Sequence, residues 1–192
     1  MLIVFDVMGT LLADPYAAAH EAACGMPVAE ITRRTPPGLY HQLERGEIDE
    51  AGYWAGLRGG GAPGDPDVFH RVRRAGYAWL DGMPALAADC AAAHPTVAGS
   101  NYPSWMDDVT ADHLAALDLR VFVSWRLGVR KPDPRFFMAL CAATGAAPED
   151  LVLIDDKVRN VDAVTSLGGA GVHHVSAART RRSLRDLGVL PG

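Results

Sequence analysis

Cysteine is scarce in this chain. Cys24, Cys90 and Cys141 are far apart and odd in number. That excludes a disulfide framework, which needs pairs, and a zinc site, which needs closely spaced ligands. A reducing compartment is the expectation. Long apolar runs are also missing. None approaches the roughly 20 residues that cross a bilayer, so no membrane association is expected. The N-terminus lacks the basic start and apolar stretch of a secretory signal. Positive charge is in deficit, with 18 Lys and Arg against 23 Asp and Glu and a net charge of -5. A non-specific nucleic-acid binder needs the opposite sign. A cytoplasmic protein with a small-molecule partner is expected, as monomer or homodimer.

Apolar residues are plentiful. At 49% hydrophobic and 21% charged, 192 residues can bury a substantial core. Five short apolar runs stand out: Leu2 to Phe5, Thr96 to Gly99, Leu119 to Ser124, Leu151 to Ile154 and Gly171 to Val175. Most lack polar alternation, as expected of parallel strands covered on both faces. Helical segments separate the last ones. Asp133-Pro134 starts a helix over Arg135 to Thr144, and Gly145 ends it. Two more cover about Val158 to Leu167 and Ala178 to Leu187. Strands alternating with helices predict a doubly wound, Rossmann-like α/β sheet of five parallel strands.

Residues 14–85 break that rhythm. They carry helix-like pieces over Tyr16 to Cys24, Gly38 to Arg45, Asp49 to Leu57 and Asp65 to Leu80, and no confident strand. The expected division is a core of residues 1–13 and 86–192, with 14–85 as a helical insert. The Ala-rich stretch Ala85 to Ala93 reads as an ordinary helix.

Ligands of open α/β sheets bind beyond the carboxyl ends of the strands. The first run ends at Asp6, the second at Ser100-Asn101, and the fourth at Asp155-Asp156. The loop after the third carries Arg130-Lys131-Pro132. A carboxylate nucleophile, a hydroxyl, a lysine and an acidic pair would therefore meet on one rim. This is equipment for phosphoryl transfer through a covalent aspartate, with charge neutralised by Lys131 and a hard metal ion.

The same four pieces resemble the haloacid dehalogenase superfamily, in its phosphatase-like branch with a small helical cap. Its first motif, Asp-x-Asp-Gly-Thr, is matched by Asp6-Val7-Met8-Gly9-Thr10. The second is matched by Ser100, the third by Lys131-Pro132 and the fourth by Asp155-Asp156. Leu43-Glu44-Arg45-Gly46-Glu47-Ile48 resembles cap sequence. The resemblance implies a magnesium-dependent hydrolase of small phosphorylated metabolites, with Asp6 as nucleophile and Lys131 as its catalytic partner. It also implies phosphate binding by Ser100, Asn101, Gly9 and Thr10, and a metal held by Asp6, the Met8 carbonyl, Asp155 and Asp156.

Met8 departs from the motif. The family's phosphatases carry an aspartate there as general acid and base, a contribution of about 10²–10⁴ in rate. Three outcomes stay open: a phosphatase with impaired acid–base chemistry, a 2-haloacid dehalogenase-type enzyme, and an inactive binding protein. The dehalogenase branch would use a cap arginine, for which Arg33 or Arg34 is placed. Asn160 is expected to hold its loop and Asp162 to lie on the surface. Trp54, Trp79 and Trp105 are expected in packing, and His173-His174 away from any metal.

Overall fold

The structure, a computed structural model, describes all 192 residues. Five strands form one parallel sheet: β1 (Leu2–Phe5), β2 (Thr96–Ser100), β3 (Arg120–Val123), β4 (Leu151–Asp155) and β5 (Ala170–His173). Their order is β3-β2-β1-β4-β5. The winding reverses between β1 and β4, so the crevice of a doubly wound sheet opens at their carboxyl ends. The strand run is apolar throughout because both faces are covered. In β1, Ile3 and Phe5 join one buried cluster while Leu2 and Val4 join the other, as a two-residue repeat dictates.

Five helices intervene after β1: α1 (Tyr16–Cys24), α2 (Val28–Arg34), α3 (Leu39–Glu44), α4 (Glu50–Gly59) and α5 (Pro66–Gly76). Their apolar residues Ile31, Leu43, Trp54 and Phe69 belong to the same cluster as Ile3 and Phe5. The insert therefore has no separate core. Helix α6 (Met83–Ala93) leads into β2 and packs on β1. The remainder is α7 (Met106–Val109), α8 (Ser124–Leu127), α9 (Pro134–Thr144), α10 (Val158–Ser166) and α11 (Ala177–Asp186). No helix is long and apolar enough to cross a membrane.

Local chemistry explains most boundaries. Asp65 Oδ1 accepts from the N–H groups of Asp67 and Val68 at 2.9 and 3.2 Å and so starts α5. Asp133 does the same for α9 through Arg135 N–H. Gly145 closes α9 at φ 76°. Three details differ from what the sequence predicts. Helix α2 is unexpected, because seven residues between Pro27 and Pro36 carry too little periodicity. Helix α5 ends at Gly76 rather than Leu80, since Ala78 and Leu80 pair instead with the chain leaving β1. Ala13 N–H donates to Ala78 O at 2.8 Å and Leu80 N–H to Leu11 O at 2.9 Å. These bonds tie the two connections of the insert into one neck. Finally, β3 stops at Val123, and Ser124 opens α8.

Candidate active site

Asp6 follows β1 directly and its N–H donates to Ile154 O at 2.9 Å. The chain then turns sharply, with Leu11 and Leu12 N–H both reaching Val7 O at 2.9 Å. Gly9 sits in this turn at φ 83°. A Cβ there would lie 2.7 Å from Asp156 Oδ2. Glycine is thus required by backbone and by space alike.

Lys131 is fully buried and is the hub. Its ammonium donates to Asp6 Oδ1 at 2.8 Å, Asp155 Oδ2 at 2.6 Å and Gly99 O at 2.6 Å, which uses all three donors. Burial pulls its pKa down, but Asp6 and Asp155 outweigh this and hold it above its usual range. Burial is also the largest influence on Asp6. It pushes that carboxyl up, to about 7, against the pull of Lys131.

Each expected residue is near this hub, but their contacts differ. The Asn101 side chain accepts from Lys131 N–H at 2.7 Å and donates to Lys131 O at 2.8 Å. It positions Lys131 and leaves its amide one further N–H donor at the cavity. Thr10 Oγ accepts from Asp156 N–H at 3.1 Å, and Gly9 N–H donates to Leu12 O at 2.7 Å. Thr10 thus holds the Asp156 backbone while keeping its O–H donor, and the Gly9 N–H is used within the turn after Asp6. Of the expected phosphate donors, only the Gly9 N–H is already engaged, while Asn101 and Thr10 each position a neighbour and keep a donor. Asp155 accepts from Asn160 Nδ2 at 2.9 and 3.0 Å and from Lys157 N–H at 2.9 Å, besides Lys131. Asn160, expected only to hold its loop, is the group that orients Asp155.

Other atoms have no partner at all. Ser100 Oγ and Asp156 Oδ1 are buried without a hydrogen bond. The N–H groups of Val7, Met8 and Asn101 donate to nothing in the protein. Asp6 Oδ2 and the Met8 carbonyl accept nothing either. Buried polar groups are rarely left so, because an unmet bond costs about 1–3 kcal/mol. Of their residues, Asp6, Met8, Asn101 and Asp156 line one cavity of about 130 Å³, together with Asp155 and others, while Ser100 and Val7 are buried next to Asn101 and Met8 in the chain. Oxygens of Asp6, Asp155 and Asp156 lie within 4.8 Å of one another. A cluster of hard oxygens with one orphaned carboxylate suits a small divalent cation such as magnesium.

Met8 itself is 8% exposed and belongs to the apolar cluster. Arg33 and Arg34 do not line the cavity. Arg34 is bound to Glu30 and to Gly61 O, and Arg33 is largely exposed. The dehalogenase-type role for them is not brought together here. Asp162 and Trp79 are likewise outside it. Trp54 and Trp105 are 3% and 5% exposed in the core, as expected of packing residues. His174 pairs with Thr180 Oγ1 at 2.9 Å, and His173 Nε2 meets the Asp156 backbone O at 3.2 Å. Sequence reasoning misses Glu44 and Arg130, which also line the cavity. Their signals are the 43–48 segment and the position beside Lys131.

An inserted helical lobe over a five-stranded parallel sheet, with Asp, Ser, Lys and an acidic pair at the strand ends, defines a class, and the comparisons agree. The chain is 32% identical to flavin mononucleotide hydrolase 1, a chloroplastic protein of Arabidopsis thaliana, over 98% of this chain and 78% of that one. It superimposes on a haloacid dehalogenase family enzyme of Bacteroides thetaiotaomicron bound to magnesium and inorganic phosphate. The TM-score is 0.76 at 17% identity, over 91% and 94% of the two chains. An L-2-haloacid dehalogenase also shares the fold, at TM-score 0.66 and 20% identity over 93% and 86%. No family model matches the chain. The protein belongs to the haloacid dehalogenase superfamily and is a hydrolase of that superfamily.

Proposed function

We propose that this protein is a magnesium-dependent phosphohydrolase that cleaves a small phosphorylated metabolite through an aspartyl-phosphate at Asp6. The observation that carries this reading is a set of unpartnered groups at the strand ends, those of Asp6, Met8, Asn101 and Asp156 lining one cavity. Ser100 Oγ and the N–H groups of Val7, Met8 and Asn101 are donors without acceptors, and a phosphoryl group brings acceptors. Asp6 Oδ2 is free to attack phosphorus while Lys131 holds Oδ1. Lys131 offsets charge developing on the transferring group. Magnesium would be held by Asp6, the Met8 carbonyl and Asp156, with Asp155 behind them, and when bound would neutralise phosphate charge. The helical insert within residues 14–85 serves as the cap that closes over the substrate.

The similarity to a flavin mononucleotide hydrolase makes flavin mononucleotide the first substrate to try. The dehalogenase alternative is weaker, because the insert's arginines are not at the cavity and the acidic cluster has no use there. Phosphate release should be measured from flavin mononucleotide, p-nitrophenyl phosphate and alkyl phosphates, with magnesium and with a chelator. Release is expected only with magnesium. Asp6→Asn is expected to lower it by at least about 10³-fold with the fold intact. Chloride release from 2-chloropropionate without magnesium, and no phosphate release, would overturn the reading.

A further inference from the structure

The side chains assigned to the nucleophile, the hub and the metal, Asp6, Lys131, Asp155 and Asp156, include none placed as a proton donor for the leaving oxygen. Lys131 has all three donors engaged. Met8 has no proton to give. Two further acids line the same cavity, Asp14 and Glu44. Asp14 is exposed, and its Oδ1 accepts from Tyr16 N–H at 3.0 Å. Glu44 is different. It is the last residue of α3 and is 5% exposed. Its Oε2 lies 2.7 Å from Arg130 Nε, yet the N–H does not aim at it, and neither atom has a hydrogen bond.

We propose that Glu44 is the general acid of this enzyme, the part that Met8 cannot play. This rests on the phosphohydrolase reading. The geometry supports it in three ways. First, Glu44 is buried and lines the cavity that holds Asp6, with its carboxyl beside Arg130 as its one ion-pair partner. Second, its backbone is fixed, since Ser124 Oγ donates to Glu44 O at 2.5 Å and accepts from Tyr102 N–H at 3.0 Å. Third, Glu44 comes to the cavity from α3 of the insert while Asp6 comes from the end of β1, so the two carboxyls are supplied by different parts of the chain.

The electrostatics suit a proton carrier. The groups facing Glu44 are Arg130 from the loop before Lys131, Arg159 from α10, its neighbour Arg45, and the hydroxyls of Tyr16 and Tyr40. Burial raises its carboxyl to about 7, and the three arginines oppose that rise without cancelling it. A group poised near the working pH transfers protons in both directions. In the first half-reaction Asp6 Oδ2 bonds to phosphorus, the bond to the leaving oxygen breaks, and that oxygen takes the Glu44 proton. The Glu44 carboxylate left behind faces Arg130. In the second, water attacks phosphorus as Glu44 takes its proton, the Asp6–phosphorus bond breaks, and phosphate departs. The acid is thereby restored.

Glu44→Gln keeps the shape and removes the proton carrier. It should be compared with the unaltered protein on an alkyl phosphate and on p-nitrophenyl phosphate, with magnesium. The expected result is a loss of about 10²-fold in kcat on the alkyl phosphate and under about fivefold on the aryl ester, which needs little protonation. Adding Met8→Asp to Glu44→Gln should return most of the alkyl phosphate rate, which a merely structural role of Glu44 would not allow. Glu44→Asp serves as the check if the amide variant is poorly folded, and should keep the aryl rate while slowing the alkyl one. Equal losses on both esters, or no loss, would overturn the acid role while leaving the phosphohydrolase standing. Absence of magnesium-dependent phosphate release from the unaltered protein would overturn both.

Discussion

Two buried polar networks lie within this small protein, and they are built to opposite standards. One is in the helical insert and its seam with the core. Glu50 accepts from Trp54, Trp105 and His70. Arg73 donates to Tyr77 and Asp108, and Tyr77 meets Tyr102. His20 bridges Tyr16 O and Tyr53. None of these side chains is left with an orphaned atom. The other network is at the strand ends, and it holds Glu44, Ser100, Arg130, Asp156 and Asn160, five of the six residues with an unpartnered buried atom. A satisfied network rigidifies, whereas a deficient one is kept only where something else completes it. The contrast separates structure from function without reference to any relative.

The sharpest way to break this comparison is at Arg73, which is 1% exposed. Arg73→Met keeps the stem and removes the guanidinium. Asp108 then keeps only Arg74 at 3.0 Å, and the stacking over Trp105 at 5.4 Å is lost. Asp108 is 37% exposed and keeps Arg74, so the cost is that of the lost guanidinium hydrogen bonds and stacking, about 2–3 kcal/mol. Urea unfolding should show that loss while kcat stays within about threefold at a permissive temperature. A stable variant with collapsed activity would mean the seam is catalytic, and the division between the two networks would fail.

Much of both networks' framework is legible in the chain, and for a physical reason. Strands buried on both faces read as uninterrupted apolar runs, so β1 and β4 are placed to within a residue. Asp-Pro pairs and glycines mark α5 and α9 because caps act locally. Asp6 and Asp155 follow because strand ends are fixed once strands are, and Lys131 from the Lys-Pro pair in the loop beyond β3. What stays hidden is which atom meets which. Nothing near Asn101 signals that its amide grips Lys131, thirty residues on. Nor does Glu44 announce Arg130, since their meeting depends on how α3 folds back over the sheet. The end of α5 is hidden for the same reason: the residues just beyond it pair with a segment more than sixty residues away.

His20 tests the insert's network by pH. It is fully buried, and burial lowers its pKa from 6.5 to about 4, so the fold holds it neutral. The unfolded chain takes up the proton first as pH falls. The stability from His20 is therefore complete above about pH 6.5 and is lost as pH falls toward 4. His20→Gln removes this dependence. The gap in unfolding free energy between the two proteins should shrink by about 2–3 kcal/mol between pH 7 and pH 4, because a tenfold difference in proton affinity is worth about 1.4 kcal/mol. A constant gap across that range would show that the fold does not favour the neutral ring.

Gly9 offers the finest test, because a change there disturbs the deficient network without removing any of its side chains. A Cβ at Gly9 would stand 2.7 Å from Asp156 Oδ2 and 3.0 Å from its Cγ, in a backbone at φ 83°. The left-handed conformation costs alanine about 1–2 kcal/mol. The clash must be relieved by turning Asp156, whose free Oδ1 is the oxygen assigned to magnesium. Gly9→Ala should therefore lower stability by about 1 kcal/mol and raise the magnesium concentration for half-maximal activity about tenfold. Saturating magnesium should recover most of the rate, since Asp6 and Lys131 are untouched. An unchanged magnesium requirement in a strained but folded variant would remove Asp156 from the metal site and leave its orphaned oxygen to be filled by another ligand.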